Sequence, residues 1–231
     1  MKKVKTVLVT NIPSPYRARQ FDLLSQESLF DLCVIYCARN EKNRKWKVPE
    51  LHHNSVFLSN STKSSGFYFQ IRVIRFLFKL MPKIIITAGF TPTMLLSFLF
   101  AKLFNINHVV FTDSWLHSVN NMSCIHKVIR KIVIKYSNKY VCVGKKGARF
   151  LQHYGAPLKD IVISPLSIDN KYFSEFYGQT KKYDIMFSGQ FVERKLPFFF
   201  IEVAKKVKEK INNLTVLLIG SGPLQKLHGH L

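Results

Sequence analysis

Short apolar runs alternate with longer segments whose apolar residues recur at helical spacing, and this alternation extends along nearly the whole chain. Six runs rich in β-branched or aromatic residues predict strands at residues 4–10, 30–36, 83–88, 108–112, 139–143 and 160–164. The segments that predict helices are residues 17–24, 70–80, 92–104, 124–136 and 147–154. Since alternating strands and helices form parallel sheets covered by helices, the pattern predicts a doubly wound α/β fold.

The alternation stops at an irregular stretch, residues 165–179, and then begins again. An apolar run at 183–188 is followed by an amphipathic segment from Pro197 and by a second apolar run at 214–219. This order predicts a second parallel α/β unit. We therefore expect a first domain, a linker and the opening of a second domain at residues 1–165, 166–180 and 181–231.

The turns of the second unit contain glycines and two cations that suggest a diphosphate site. The candidate residues are Gly189, Arg194, Lys195, Gly220 and Gly222. Such turns leave backbone N–H groups and a helix N-terminus free to bind phosphate, and the cations would offset its charge. Tight turns alone would also explain the glycines, and basic residues often begin helices without a function. A P-loop motif, G-x-x-x-x-G-K-[ST], does not occur in the sequence.

Asp113 and His117 follow the predicted strand at 108–112 and are the acid/base candidates of the first unit. The carboxyl ends of the strands in an open α/β sheet form the edge where ligands bind. A carboxylate at the end of a strand can equally cap the next helix. The other histidines show no ligand spacing, and the sequence predicts no metal site.

The chain carries 35 Lys and Arg against 13 Asp and Glu, a formal net charge of +22. Such a surface attracts nucleic acid, anionic lipid headgroups or a phosphorylated substrate, although a lysine-rich composition that serves solubility is the simpler alternative.

Residues 70–80 are both basic and apolar. They predict either a helix that packs on the core while its cations reach water, which we favour, or a helix that lies on a membrane surface.

The four cysteines form no C-x-x-C pair, and three of them, Cys33, Cys37 and Cys142, lie in apolar runs typical of a core. The apolar run near the N-terminus is too short for a signal peptide, and the run at 94–101 is too short to span a bilayer. We expect a cytoplasmic protein, with peripheral contact to the inner face of the cytoplasmic membrane.

Five stretches follow one another along the chain: residues 13–17 (PSPYR), 84–114, 140–173 with Ile168-Asp169 and Phe173, 187–197 (FSGQFVERKLP) and 217–223 (LLIGSGP). In this order they resemble the GT-B glycosyltransferases of family four. The resemblance extends over nearly all 231 residues. It implies a GT-B-like fold with a complete N-terminal Rossmann-like domain and the first β-α-β portion of a second one.

By this resemblance the protein is a glycosyltransferase of hexosyltransferase type that retains anomeric configuration. It would move a sugar from a nucleotide sugar to a polysaccharide, lipopolysaccharide or lipid-linked acceptor. Arg194 and Lys195 would hold the diphosphate of the donor, and Ser14, Tyr16 and Arg17 would form the loop on the acceptor side. No metal or cofactor would be needed, because cationic side chains stabilise the leaving nucleotide.

Only about fifty residues of the expected donor domain are present, well below an ordinary domain size. We therefore expect a truncated enzyme that is inactive as this chain. A non-catalytic module that binds acceptor or membrane is the main alternative. A nucleic-acid-binding protein is a weaker alternative that rests on charge alone, since no recognised nucleic-acid module is present.

Overall fold

The computed structural model describes residues 3–42, 44, 46–59, 62–63, 68–168, 170, 174, 178 and 180–225. The chain divides into two compact units, Met1–Asp169 and Asn170–Leu231. The division falls inside the linker expected at 166–180, most of which lies outside the described residues.

The first unit contains nine strands and five α-helices among its described residues. They are β1 (Val4–Thr10), α1 (Pro15–Gln26), β2 (Phe30–Tyr36), β3 (Asn40–Glu41), β4 (Asn54–Phe57), β5 (Thr62–Lys63), α2 (Arg72–Leu80), β6 (Ile84–Thr87), α3 (Pro92–Leu103), β7 (Asn107–Thr112), α4 (Cys124–Lys135), β8 (Lys139–Cys142), α5 (Lys145–His153) and β9 (Ile161–Ile163). Short 3-10 helices occupy Leu116–Val119 and Leu158–Asp160.

Seven of these strands form one sheet in the order β4-β2-β1-β6-β7-β8-β9, and every pairing in it is parallel. The predicted doubly wound α/β fold is confirmed. Strand β4 and the small β3–β5 pair were not predicted, because β4 has only four residues and β3 and β5 have two polar residues each. Residues 64–67, which follow β5, lie outside the described residues.

Helices cover the two faces of this sheet unequally. On one face α2, α3, α4 and α5 pack over alternate residues of the strands, including Val7, Ile85 and Val110. On the other face Phe21 of α1 packs over Leu8 of β1. Because successive strand residues point to opposite faces, each strand supplies both cores.

Helix α2 packs on the core, as we favoured from the sequence. Its residues Val73 and Leu77 are fully buried, while the Arg72 guanidinium donates to the carbonyl oxygen of Leu58 at 3.2 Å.

Three of the cysteines, Cys33, Cys37 and Cys142, are buried as predicted, and Cys124 is exposed. Burial raises the pKa of the Cys33 thiol to about 11 and that of Cys37 to about 12, so both stay protonated.

Two buried histidines join helices to the sheet through polar side chains. His108 of β7 bonds Ser137 through Nδ1 at 2.7 Å and Thr87 through Nε2 at 3.1 Å. The Ser137 hydroxyl donates to the Val133 carbonyl oxygen, so His108 Nδ1 is the donor and Nε2 accepts from Thr87. Burial, together with the nearby charge of Lys102, lowers the pKa of His108 to about 3, which keeps the ring neutral.

The second buried histidine, His53, lies between α1 and β2. Its Nδ1 is 2.6 Å from Asp22 Oδ1, and its Nε2 is 2.9 Å from the Tyr36 hydroxyl. Asp22 Oδ1 also accepts the backbone N–H of His52 at 2.8 Å. All three side chains of this Asp22–His53–Tyr36 cluster are buried, and the cluster anchors the loop before β4 to α1.

The described residues of the second unit include β10 (Ile185–Ser188), a 3-10 helix (Glu193–Lys195), α6 (Pro197–Lys208) and β11 (Val216–Ile219). Strands β10 and β11 pair in parallel, with Ile185 opposite Val216. Asp184 accepts the backbone N–H of Thr215 at 2.7 Å and its hydroxyl at 2.7 Å. These bonds lower the pKa of Asp184 and fix the register of the pair.

Candidate functional site

The carboxyl ends of β1, β6 and β7 meet where the strand order changes direction. From β1 the chain moves to β2 on one side and later to β6 on the other, so the gap between β1 and β6 is a topological switch point. Open α/β sheets bind ligands in the crevice at such a point. A cleft of about 240 Å³ lies there. Its polar and aromatic lining includes Asn11, Ser14, Tyr16, Arg17, Glu41, Arg44, Trp46, Phe111 and Asp113.

The loop after β1 and the first turn of α1 bring three of the predicted residues into this cleft. Ser14 occupies the N-cap of α1, and its carbonyl oxygen accepts the N–H groups of Arg17 at 3.1 Å and Ala18 at 2.9 Å. The Arg17 guanidinium lies 4.2 Å from the ring centroid of Phe111, a cation–π contact that fixes its position. Strand β7 therefore helps to hold the Arg17 charge in the cleft.

The segment after β2, which matched no pattern in the sequence, forms another wall. Glu41 is buried and accepts two hydrogen bonds, from the Tyr68 hydroxyl at 2.6 Å and from Arg44 Nε at 3.2 Å. The Arg44 guanidinium in turn lies 4.8 Å from the ring centroid of Trp46. Burial is the main cause that raises the pKa of Tyr68, and the hydrogen bond to Glu41 is the second. The phenol therefore stays protonated and donates to Glu41.

Two buried polar atoms of the cleft side chains have no hydrogen-bond partner. They are Asn11 Oδ1 and Trp46 Nε1, two of four such atoms among the described residues. Each unpartnered group costs about 1–3 kcal/mol relative to a satisfied one. The amide oxygen accepts a hydrogen bond and the indole N–H donates one. Both atoms are closed to solvent, so a ligand hydroxyl reaches either of them only if the side chain turns toward the cleft.

The two acid/base candidates occupy different places. Asp113 follows the end of β7 and lines the cleft together with Arg17. His117 lies on the 3-10 helix Leu116–Val119, exposed, with its ring 5.2 Å from that of Trp115, and it is not among the cleft residues. The geometry thus brings Asp113 together with Ser14, Tyr16 and Arg17 but does not bring His117 to them.

In the second unit, close backbone packing explains two of the glycines. A Cβ atom on Gly220 would lie 1.8 Å from the carbonyl oxygen of Gly189, and one on Gly222 would lie 2.3 Å from that of Phe191. Neither position can hold a side chain unless the loops move apart. The alternative that tight turns account for these glycines without a ligand therefore has a specific structural basis.

Two amides of these turns are donors within the unit. Gly189 N–H donates to the Ile219 carbonyl oxygen at 2.9 Å, and Phe191 N–H donates to that of Ser221 at 3.0 Å. The expectation that the turn leaves its N–H groups free for phosphate is wrong for these two.

The predicted cations Arg194 and Lys195 lie exposed on the 3-10 helix that precedes α6. Their charge is accessible there, and their role in holding a diphosphate stays a prediction.

Within the described part of the chain, no three His, Cys, Asp or Glu side chains are grouped so that they could hold a metal ion. The helices described there are also too short, or too polar, to cross a bilayer.

The parallel sheet, its switch-point cleft and the second β-α-β unit together define a GT-B-like α/β fold. No protein-family model matches the chain, and no curated protein matches it.

Solved structures with a similar fold include UDP-N-acetylglucosamine 2-epimerase from Rickettsia bellii, at 13% identity and a TM-score of 0.61. The alignment covers 100% of this chain and 65% of that protein. HepE of Anabaena in complex with UDP is 8% identical with a TM-score of 0.64, over 99% of this chain and 63% of that one. S. aureus MnaA with UDP is 14% identical with a TM-score of 0.58, over 100% and 67%.

This chain therefore spans slightly less than two thirds of the length of the Rickettsia and Anabaena proteins. Likeness at such low identity shows the fold alone. The glycosyltransferase family expected from the sequence stays a prediction.

Proposed function

We propose that this chain belongs to an enzyme that transfers a sugar from a nucleotide sugar to a glycan or lipid-linked acceptor, and that the cleft of the first unit binds the acceptor. The sequence resemblance to GT-B glycosyltransferases of family four supports transfer as the reaction. The solved proteins of similar fold that are described as binding UDP support a nucleotide sugar as the donor.

The observation that carries the acceptor assignment is the pair of unpartnered atoms in the cleft, Asn11 Oδ1 and Trp46 Nε1. Turned toward the cleft, this acceptor and this donor would complement hydroxyl groups, which glycans carry in quantity. Aromatic rings of Tyr16 and Trp46 offer apolar surface for a sugar ring, and Arg17 offers a cation for an acidic substituent. Asp113 is positioned to accept a proton from the attacking hydroxyl.

In this proposal the donor contacts the second unit, and Arg194 and Lys195 stabilise the diphosphate as negative charge develops on it. Both cations are exposed before α6. We propose no metal or cofactor, because two cationic side chains can stabilise the negative charge of the diphosphate without one. We also propose a cytoplasmic location, since all four cysteines are free thiols.

The test compares two tryptophans that both lie in the first unit. Trp46→Phe keeps an aromatic ring but removes the indole N–H of the cleft, and Trp115→Phe makes the same change at a residue outside the cleft lining. Binding of a panel of oligosaccharides is followed by ligand-observed NMR. We expect Trp46→Phe to weaken acceptor binding about tenfold, the value of one hydrogen bond, and Trp115→Phe to leave it unchanged. Equal affinities for the two variants would refute the acceptor assignment.

A nucleotide-sugar epimerase is the second candidate, because several solved proteins of similar fold are described as UDP-N-acetylglucosamine 2-epimerases. The two reactions differ in their need for an acceptor. A transferase releases UDP from a UDP-sugar only when an acceptor is present, whereas an epimerase changes the sugar of the nucleotide without one. Nucleotide-sugar binding without either reaction would favour the alternative of a non-catalytic binding module.

A further inference from the structure

The outer surfaces of α2, α3 and α4 face the same direction. Helices α2 and α3 share one core cluster that contains Ile85, and α3 and α4 contribute to a second that contains Val110. Thr87 pairs with Val110 in the sheet and lies two residues after Ile85, so all three strand positions point to one face. The three helices therefore form one layer, and their solvent sides form one surface.

That surface carries large apolar side chains in contact with solvent. Six of them, each between 46% and 79% exposed, are Phe78, Leu99, Leu103, Ile125, Val128 and Ile132. We call these six residues the outer helix face. In α4, Ile125, Val128 and Ile132 follow at intervals of three and four, so they form a row opposite the buried Val133 and Ile134. A grouped apolar surface of this kind marks an interaction site.

Positive charge surrounds the outer helix face without an acidic partner on the same helices. Helices α2, α3 and α4 contain no Asp or Glu, and Asp113 is the single acidic residue between positions 51 and 159. Exposed cations on the layer include Arg75, Lys79, Lys102, Lys131 and Lys135. Cations without an acidic residue on the same helices thus lie beside the exposed apolar side chains of this layer.

We propose that the outer helix face docks on an anionic phospholipid bilayer, with its apolar side chains among the acyl-chain boundary and its cations on the headgroups. Helices that lie in a membrane interface combine these two features. A second copy of the chain would bring two strongly cationic surfaces together, which is unfavourable. Nucleic acid would use the cations and leave the six apolar side chains unexplained. The proposal is independent of the reaction that the cleft performs.

The experiment measures cosedimentation of the whole chain with vesicles of phosphatidylcholine alone and of equal parts phosphatidylcholine and phosphatidylglycerol. Ile125→Ser/Ile132→Ser removes apolar contact, and Lys131→Glu/Lys135→Glu reverses the adjacent charge. Each lysine near an anionic surface is worth about fivefold in affinity, so we expect the charge reversal to weaken binding at least about tenfold. Burial of two isoleucine side chains leads us to expect a loss of at least about tenfold for the serine variant as well.

Control variants make changes of the same kind on α6 of the second unit, where Phe199, Lys206 and Lys208 are exposed. Phe199→Ser and Lys206→Glu/Lys208→Glu are expected to bind anionic vesicles as the unchanged protein does. Circular dichroism of every variant verifies its fold; because all the altered side chains are exposed, each is expected to fold.

Binding to anionic vesicles that falls in both α4 variants and not in the controls supports the proposal. Three results would overturn it. The first is equal binding of the α4 variants and the controls. The second is binding to DNA that is stronger than vesicle binding and unaffected by Ile125→Ser/Ile132→Ser. The third is that the unchanged protein is a dimer, and that Ile125→Ser/Ile132→Ser makes it a monomer that still binds the vesicles.

Discussion

Replacing His53 by leucine should destabilise the first unit by removing the centre of the Asp22–His53–Tyr36 cluster. Leucine fills much of the space of the imidazole but makes neither hydrogen bond. The Asp22 carboxyl then keeps the backbone N–H of His52 at 2.8 Å and loses the shorter contact at 2.6 Å to the ring. The Tyr36 hydroxyl, fully buried, loses its partner at 2.9 Å.

The size of the effect follows from these two losses. A buried polar group left without its partner costs about 1–3 kcal/mol, and a buried carboxylate lies at the upper end of that range. Two such groups cost about 4 kcal/mol, and the apolar gain of leucine returns about 1 kcal/mol. We therefore expect the free energy of unfolding to fall by about 3 kcal/mol. At an m-value of about 2 kcal/mol/M, the urea midpoint falls by about 1.5 M.

Tryptophan fluorescence is the suitable probe, because Trp46 and Trp115 are the only tryptophans and both lie in the first unit. His52→Leu is the matched control, since it makes the same substitution at an exposed neighbour and keeps the backbone N–H that Asp22 accepts. A His53→Leu midpoint that equals the control midpoint would refute the reasoning that the buried cluster stabilises this unit.

Three further predictions follow from individual residues. The pKa of His108, lowered by burial and by Lys102, means that the unfolded chain binds a proton near pH 6.5 and the folded chain only near pH 3. Stability should therefore fall as pH decreases through this window, and His108→Gln should flatten that part of a urea-midpoint profile; an unchanged profile would contradict it. Gly220→Ala should speed amide hydrogen exchange in β10 and β11 because its Cβ would clash with backbone, whereas Gly189→Ala, which meets only ordinary contacts, should not; similar exchange in both variants would contradict this. Lys195→Ala should weaken nucleotide-sugar binding at least about tenfold with an unchanged melting temperature, and unaltered binding would count against the diphosphate role.

Much of the first unit was predictable because its pattern is long and regular. Strands β1 and β2 begin and end at the predicted residues 4–10 and 30–36, and α3 ends one residue before its predicted limit of 104. The two strands bury most of their side chains, four of seven in β1 and five of seven in β2, so their apolar composition marks them. Strand β4 was missed because only its partner β2 makes it a strand.

The cleft was predictable only in part. Ser14, Tyr16, Arg17 and Asp113 follow strand ends, a position that sequence periodicity locates, and they do meet in one cleft. Trp46 belongs to a segment without periodicity, and its place depends on the distant bonds of Glu41. Contacts of this kind join residues far apart in the chain, and no local pattern records them.

The sequence by itself determined the α/β class, the restart of the pattern after residue 179 and the basic character of the chain, because these depend on local periodicity and composition. Tertiary structure alone decided three other properties. It separated His117 from the cleft, committed the amide of Gly189 to β11, and placed exposed apolar side chains of α2, α3 and α4 on one side of the sheet. Each of these depends on how distant elements pack, and packing is determined by shape and hydrogen bonding across the whole fold.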